Sequence, residues 1–259
     1  MDTSSIFRMS RVTLCAFFLV VLPGHALALI VNGPQPITHQ VTVQPIVVSN
    51  DDGSQTAEFF GTLSQQSSIE GFIDTIWAQA GIDIEFLLPN AWNSTFANSG
   101  NPANNNPRPT SDLNQVTGDG STAGVANASS TVINIYFVNI AAGFGLLSEN
   151  SVAGLAFLGG NGITQYVGSN LLGFSAGREV IGSVVAHEIG HNLGLPHIVE
   201  AENLMQSSGQ PNQGERLNAS QIATAQSSAF AVPVTVVPLP GAWVLLLSGL
   251  VLLRRPSAA

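Results

Sequence analysis

The sequence contains no lysine, and its seven basic residues are all arginines, against sixteen acidic residues. The formal net charge is therefore −9 at pH 7. Proteins that bind nucleic acid need basic side chains to neutralise phosphates, so this composition predicts no nucleic-acid partner and disfavours anionic partners in general.

Cysteine is almost as scarce, since Cys15 is the only one among 259 residues. It lies in an apolar segment that we expect to be removed from the mature protein. Without it, the chain has no disulfide, no thiolate nucleophile and no cysteine ligand for zinc. A metal site in this chain must be built from histidines and carboxylates.

Residues 1–28 have the order of a secretory signal peptide. Arg8 and Arg11 precede the apolar run VTLCAFFLVVL, and the small residues Ala26 and Ala28 follow on either side of Leu27. We predict cleavage after Ala28 and export across the inner membrane. A retained membrane anchor is the alternative, although Pro23 and Gly24 interrupt the run well short of a bilayer span.

Residues 237–259 form a second separate segment, which reads VPLPGAWVLLLSGLVLLRRPSAA. An apolar run that is short for a membrane span lies between a Pro-rich start and two arginines. The segment resembles the PEP-CTERM type of C-terminal sorting signal, in the variant that opens Val-Pro-Leu-Pro. That resemblance implies a Gram-negative bacterium, transient membrane contact, processing by an exosortase, and a final location at the outer envelope, cell surface or extracellular matrix. A plain membrane anchor is the alternative.

The remaining residues, 29–236, carry the periodicity of one α/β domain. Apolar residues alternate through 41–47, which predicts a strand that ends in a turn at 50–53. Ser67 to Glu70 has the form of a capping box, and apolar residues then recur at helical spacing up to Ala80. Alternation resumes over 82–88 as a second strand.

Residues 93–131 are rich in Asn, Ser, Gly, Thr and Pro and show almost no apolar periodicity. We interpret them as one long surface loop. Structure resumes with an inner strand at 132–140 and a hairpin at 154–168. A helix that is apolar on most sides follows at 178–193, so we expect it to be buried.

This buried helix carries the stretch VVAHEIGHNLGLPH, residues 184–197, which holds three of the five histidines in the sequence. His187 and His191 are four residues apart, so one helical turn places both rings on one side. Gly194 allows the chain to leave the helix and return His197 to the same point. Three imidazoles then surround one position, beside Glu188.

Three ligands and an open fourth position are the arrangement of a catalytic zinc site, whereas structural sites close with four protein ligands. Zinc can polarise a carbonyl and lower the pKa of water, and Glu188 is placed to take a proton as general base. The chemistry that this pattern predicts is hydrolysis of an amide bond.

The pattern His187-Glu188-x-x-His191-x-x-Gly194-x-x-His197 resembles the extended zinc signature of the metzincin metalloendopeptidases. The resemblance implies one catalytic Zn²⁺ on the three histidines, Glu188 as base, and Met205 in a turn beneath the metal. It also implies a twisted, mostly parallel sheet with an antiparallel edge strand that binds a peptide substrate. Ile198 follows the third histidine and no tyrosine follows Met205, so no subfamily is assigned.

The leading interpretation is thus a secreted or envelope-associated zinc endopeptidase that acts on proteins or peptides. The alternative is a matrix or adhesive protein that keeps the zinc scaffold without proteolysis. An intact Glu188 favours the enzyme, because a scaffold needs the ligands but not the base. A structural Ca²⁺ site at Asp51 and Asp52 has little support, and a turn is the favoured role for both residues.

Overall fold

The computed structural model describes residues 31–99, 109–139, 154–167, 169–206 and 214–234. The predicted signal peptide (1–28) and sorting tail (237–259) lie outside these residues. None of the helices in the described ranges combines the length and the apolarity that a membrane crossing requires.

The described chain forms seven strands and five α-helices. The strands are β1 (His39–Ser49), β2 (Ile82–Phe86), β3 (Asn90–Asn93), β4 (Val132–Val138), β5 (Gly154–Ala156), β6 (Ile163–Tyr166) and β7 (Val232–Pro233). The helices are α1 (Leu63–Ala78), α2 (Thr95–Ser99), α3 (Pro109–Thr122), α4 (Ser175–Asn192) and α5 (Ala219–Gln226), with a 3₁₀ turn at Ser169–Leu171.

All seven strands join one mixed sheet with the main order β2-β1-β4-β6-β5. The pairs that β1 makes with β2, β3 and β4 are parallel, as is the pair of β4 with β6. β5 runs antiparallel to β6 at the edge, and the short β7 runs antiparallel to β1. The predicted α/β fold, with a mostly parallel sheet and an antiparallel edge strand, is confirmed.

Both faces of the sheet are buried, which is why β4 is apolar at almost every position. Ile133, Ile135 and Phe137 of β4 belong to the main core, together with residues of α1 and α4. Tyr136 and Val138 point into a second, smaller core. The predicted burial of the histidine-bearing helix follows from this packing, since α4 lies against α1 within the main core.

The predicted start of α1 is wrong by about one turn. The helix begins at Leu63, and its N-terminal cap is Thr62, whose backbone N–H donates to Oε1 of Gln65 at 2.7 Å. Thr62 to Gln65 is itself a capping-box pattern, so two such patterns overlap here. The earlier one caps the helix, and Ser67 lies inside it.

The predicted loop over residues 93–131 is also wrong in part, because it contains α2 and the fourteen-residue α3. Helix α3 contributes Leu113 and Val116 to the buried set, which is too few apolar residues to give a recognisable period. Its Gly120 packs closely on the sheet, since a Cβ there would lie 2.5 Å from Cε1 of Tyr136. Residues 100–108 lie outside the described ranges.

Candidate metal centre

Helix α4 supplies two of the three clustered histidines, and the turn after it supplies the third. α4 ends at Asn192, and Gly194 follows with φ +91°, a left-handed conformation that residues with a Cβ rarely adopt. The N–H of Leu195 bonds back to the carbonyl of Gly190 at 2.9 Å. This tight exit reverses the chain, so that His197 returns towards the helix.

The ring nitrogens of the three histidines converge on one point. Nε2 of His197 lies 3.0 Å from Nε2 of His187 and 3.1 Å from Nε2 of His191. Tetrahedral zinc with Zn–N bonds of about 2.0 to 2.1 Å would separate its ligands by roughly 3.3 Å. The observed spacing therefore suits three ligands of one small cation.

Two backbone carbonyls orient the rings. Nδ1 of His187 donates to the carbonyl of Leu204 at 2.6 Å, and Nδ1 of His191 donates to the carbonyl of Leu195 at 2.8 Å. A carbonyl can only accept, so in each neutral ring the proton sits on Nδ1 and the lone pair on Nε2. The lone pairs of both rings thus face the common point, as metal ligation requires.

Desolvation favours the neutral form of all three rings, although only His187 is buried and His197 is exposed. Desolvation lowers the pKa of His187 to about 4 and lowers the pKa of His191 and His197 as well. Neutral imidazoles with lone pairs a few ångströms apart repel one another unless a cation lies between them. The donor set, its tautomers and its spacing therefore fit a zinc ion.

Glu188 lies next to the triad and is buried, with 7% of its surface exposed. Desolvation raises the pKa of its carboxyl to about 8. The first residue of the edge strand, Gly154, packs directly on this side chain. Desolvation makes the carboxylate of Glu188 a stronger base, which suits a group that accepts a proton during a reaction.

Met205 lies beneath the helix that carries the histidines. It is fully buried, and a Cβ on Gly190 would lie 2.6 Å from its Sδ atom. Gly190 stands between the two histidines of α4, so Met205 supports the helix at the level of the triad. The sequence pattern placed His187, Glu188, His191, Gly194, His197 and Met205 at one site. The structure brings the ring nitrogens of the three histidines within 4.8 Å of one another and packs Met205 against the helix that carries two of them.

The sequence pattern missed the groups that orient these residues. The carbonyls of Leu195 and Leu204 belong to the backbone, so no side chain signals them. Gly154 is one of 26 glycines, and only its contact with Glu188 distinguishes it.

The acidic pair at the first turn has a structural role. Oδ1 of Asp51 accepts the N–H of Thr95, and Oδ1 of Asp52 accepts the N–H of Ser54, each at 2.9 Å. Within the described ranges, the group of side chains arranged to share a metal ion is the histidine triad. His39 is not part of the triad. It is the first residue of β1, where its Nδ1 lies 2.9 Å from the hydroxyl oxygen of Thr38.

Solved structures with a similar backbone include an archaemetzincin, a zinc-dependent peptidase and a metalloproteinase. An archaemetzincin from Methanopyrus kandleri is 13% identical, with a TM-score of 0.47 over 72% of this chain and 94% of that one. A zinc-dependent peptidase from Methanocorpusculum labreanum is 10% identical, with a TM-score of 0.48 over 71% and 99%. Metalloproteinase-II from Bacteroides fragilis is 14% identical, with a TM-score of 0.45 over 74% and 56%. No curated protein matches the sequence.

The family comparison covers the site itself. The sequence profile described as metallo-peptidase family M12B, reprolysin-like, matches residues 66–198, which is just over half of the chain. The match runs from the first helix to the residue after His197, and so includes every histidine of the triad. On this match the chain belongs to the reprolysin-like metallopeptidase family M12B and is a zinc metallopeptidase.

Proposed function

We propose that this protein is an exported zinc endopeptidase in which His187, His191 and His197 hold the metal and Glu188 is the general base. The observation that carries the proposal is the convergence of three Nε2 lone pairs beside one buried carboxyl group. Family membership supports zinc and peptide hydrolysis, and the roles of the individual residues rest on the geometry.

When bound, zinc supplies a Lewis acid that polarises the scissile carbonyl and makes water more acidic. Glu188 takes a proton from the water whose oxygen attacks the carbonyl carbon. The carboxyl then passes that proton to the amide nitrogen as the C–N bond breaks. A bound cation would oppose the desolvation that raises the pKa of Glu188, and the carboxylate could then accept a proton at neutral pH.

We propose that the substrate is a protein or peptide in extended form, added along β5. This strand lies at the end of the main strand order and, among the described strands, pairs with β6. An edge strand presents backbone N–H and C=O groups on its open side, where an extended chain can add as a further strand. Gly154, at the start of β5, would then bring that chain beside Glu188.

The test of the catalytic role is Glu188→Gln, which keeps the size of the side chain and removes the base. The variant should bind zinc like the wild type and lose roughly 10²- to 10⁴-fold in peptide turnover, the usual contribution of a general base. Zinc content and cleavage of a mixed peptide library should be measured on the same samples. Unchanged turnover would show that Glu188 is not the base, and absence of turnover in the wild type would favour the non-catalytic scaffold.

We further propose that residues 1–28 direct export and that residues 237–259 hold the protein transiently at the inner membrane before exosortase-type processing. The composition of both segments supports this route. Deletion of residues 238–259 should leave peptidase activity intact and move the protein from the envelope to soluble fractions. Intact-mass analysis decides between the alternatives, because a mature chain that still ends at Ala259 would mean a permanent anchor.

A further inference from the structure

The turn at residues 203–205 holds two of the three candidate metal ligands in place. Its Leu204 carbonyl accepts the Nδ1 proton of His187 at 2.6 Å. The next carbonyl, of Met205, accepts the N–H of Ile198 at 3.0 Å, directly after His197 in the chain. A shift of this turn would therefore move a helix-borne ligand and the loop-borne ligand together.

A buried pair of amide side chains holds the turn. Nε2 of Gln221 donates to Oδ1 of Asn203 at 3.1 Å, and Nδ2 of Asn203 donates to Oε1 of Gln221 at 2.9 Å. Oδ1 of Asn203 also accepts the N–H of Met205 at 2.8 Å. Asn203 is 1% exposed and Gln221 is 6% exposed, so water cannot easily replace these bonds.

The second member of the pair belongs to the N-terminus of α5. Gln221 forms a capping box with Asn218, and its Oε1 accepts the N–H of Asn218 at 2.9 Å. Oε2 of Glu200 accepts hydrogen bonds from Nδ2 of Asn218 at 2.9 Å and from Nδ2 of Asn203 at 3.3 Å. The pair thus ties three segments together: the loop after His197, the turn, and the start of α5.

We propose that Asn203 and Gln221 are positioning residues of the metal centre, which hold the 203–205 turn so that the Leu204 carbonyl keeps His187 in its ligating orientation. The proposal rests on the proposed function, because it assumes that the triad binds zinc. Only one orientation of each amide satisfies the whole set of bonds. A rotated Asn203 would turn its Nδ2 towards the N–H of Met205 and towards Nε2 of Gln221, placing donors against donors.

Removal of a group that orients a metal ligand commonly lowers metal affinity by about 10- to 100-fold. Gln221→Ala removes the amide pair and should weaken zinc binding by about that factor. It also removes a helix cap, so the loss of the cap must be separated from the loss of the pair.

Two further variants in the full chain make that separation. Gln65→Ala is the matched control, since Gln65 occupies the same capping-box position in α1, on a side chain that bonds to Thr62 and Leu172 rather than to the turn. Gln221→Glu makes the opposite separation, because it keeps the helix cap and breaks the amide pair. It keeps an acceptor for the N–H of Asn218 but places an oxygen against Oδ1 of Asn203.

The measurement is the dissociation constant for Zn²⁺ alone, by competition with a chromophoric chelator, with folding checked by circular dichroism. The absorption spectrum of the Co²⁺-loaded protein reports ligand geometry independently of activity. We expect weaker zinc binding and an altered Co²⁺ spectrum in Gln221→Ala and Gln221→Glu, and wild-type values in Gln65→Ala.

Wild-type zinc affinity and an unchanged Co²⁺ spectrum in both Gln221 variants would overturn this inference and leave the proposed function untouched. An equal loss of zinc affinity in Gln65→Ala would also overturn it, because the loss would then result from a less stable fold and not from the amide pair. A wild-type protein that binds no zinc would defeat the proposed function itself.

Discussion

Gly154 and Glu188 are packed so closely that no side chain fits between them: a Cβ built on Gly154 would lie 2.5 Å from Cγ of Glu188 and 2.8 Å from its Oε1. The edge strand and the helix of the histidine triad meet at this contact. The position of the carboxyl group is therefore set by a neighbouring backbone as well as by its own helix.

Gly154→Ala should displace the carboxyl of Glu188 without touching a metal ligand. A displacement of about 1 Å at a reacting group can cost roughly 100-fold in rate, so we expect kcat/KM to fall between about tenfold and 100-fold. Zinc content should stay at the wild-type level. Peptide cleavage and elemental analysis of the same preparation check both statements.

A suitable control for this change is Gly71→Ala, in the middle of α1, where a Cβ meets nothing within 4 Å. Alanine there should leave activity unchanged and raise stability by about 0.5 to 1 kcal/mol, since alanine is the better helix former. If Gly154→Ala cleaves peptide as fast as Gly71→Ala does, the contact with Glu188 has no catalytic importance.

Removal of any one imidazole from the triad should abolish tight zinc binding. His187→Ala, His191→Ala and His197→Ala each leave two ligands around the common point, so metal content and activity should fall together. His39→Ala, at a half-buried histidine in β1 outside the triad, is the control and should keep both. A full complement of zinc in all three triad variants, measured by elemental analysis, would contradict the assignment of the ligands.

Asp74, in α1, makes the free energy of unfolding depend on pH. Desolvation, followed by repulsion from Asp83 and Glu70, raises the pKa of Asp74 from 3.8 to about 6. The folded state then binds more protons than the unfolded state between these pH values, so this group lowers stability as pH rises through that range. Asp74→Asn should be more stable than the wild type at pH 7, by about 1 kcal/mol given the partial exposure of the group.

The same variant should show no gain below about pH 4, where Asp74 is protonated in both states. Asparagine keeps an oxygen for the N–H of Ile84, which the Oδ1 of Asp74 accepts at 3.3 Å. Urea unfolding at pH 4 and pH 7 measures the difference, with Asp119→Asn on the exposed side of α3 as the control. A gain of equal size at both pH values would show that the charge of Asp74 is not its cause.

The candidate metal site was predictable because its ligands are close in sequence. The i, i+4 spacing of His187 and His191 fixes their common side by helix geometry alone. His197 follows after one turn, whose glycine is recognisable. The parts that could not be predicted depend on contacts between distant segments, such as the approach of Gly154 to Glu188.

Among the fold elements, the strongly periodic ones were predictable and the weakly periodic ones were not. The alternation in β2 and the apolar run in β4 result from their burial in the sheet. Helix α3 has few buried apolar residues and contains two glycines, of which Gly120 packs on Tyr136 of the sheet, so its sequence resembles that of a loop. The start of α1 was misplaced because local capping signals overlap, and only the packing of the helix decides between them.

The central strand of the sheet has consequences for the order of folding. β1 pairs with β2, β3 and β4, and its first residues also pair with β7, where His39 lies opposite Pro233. During synthesis, the first of the described strands must therefore wait for the last of them before its hydrogen bonds are complete. Such distant pairing slows folding and leaves the strand edge at His39 and Gln40 open in the growing chain. A nascent chain halted before β7 should accordingly expose the start of β1 to chaperones and to aggregation.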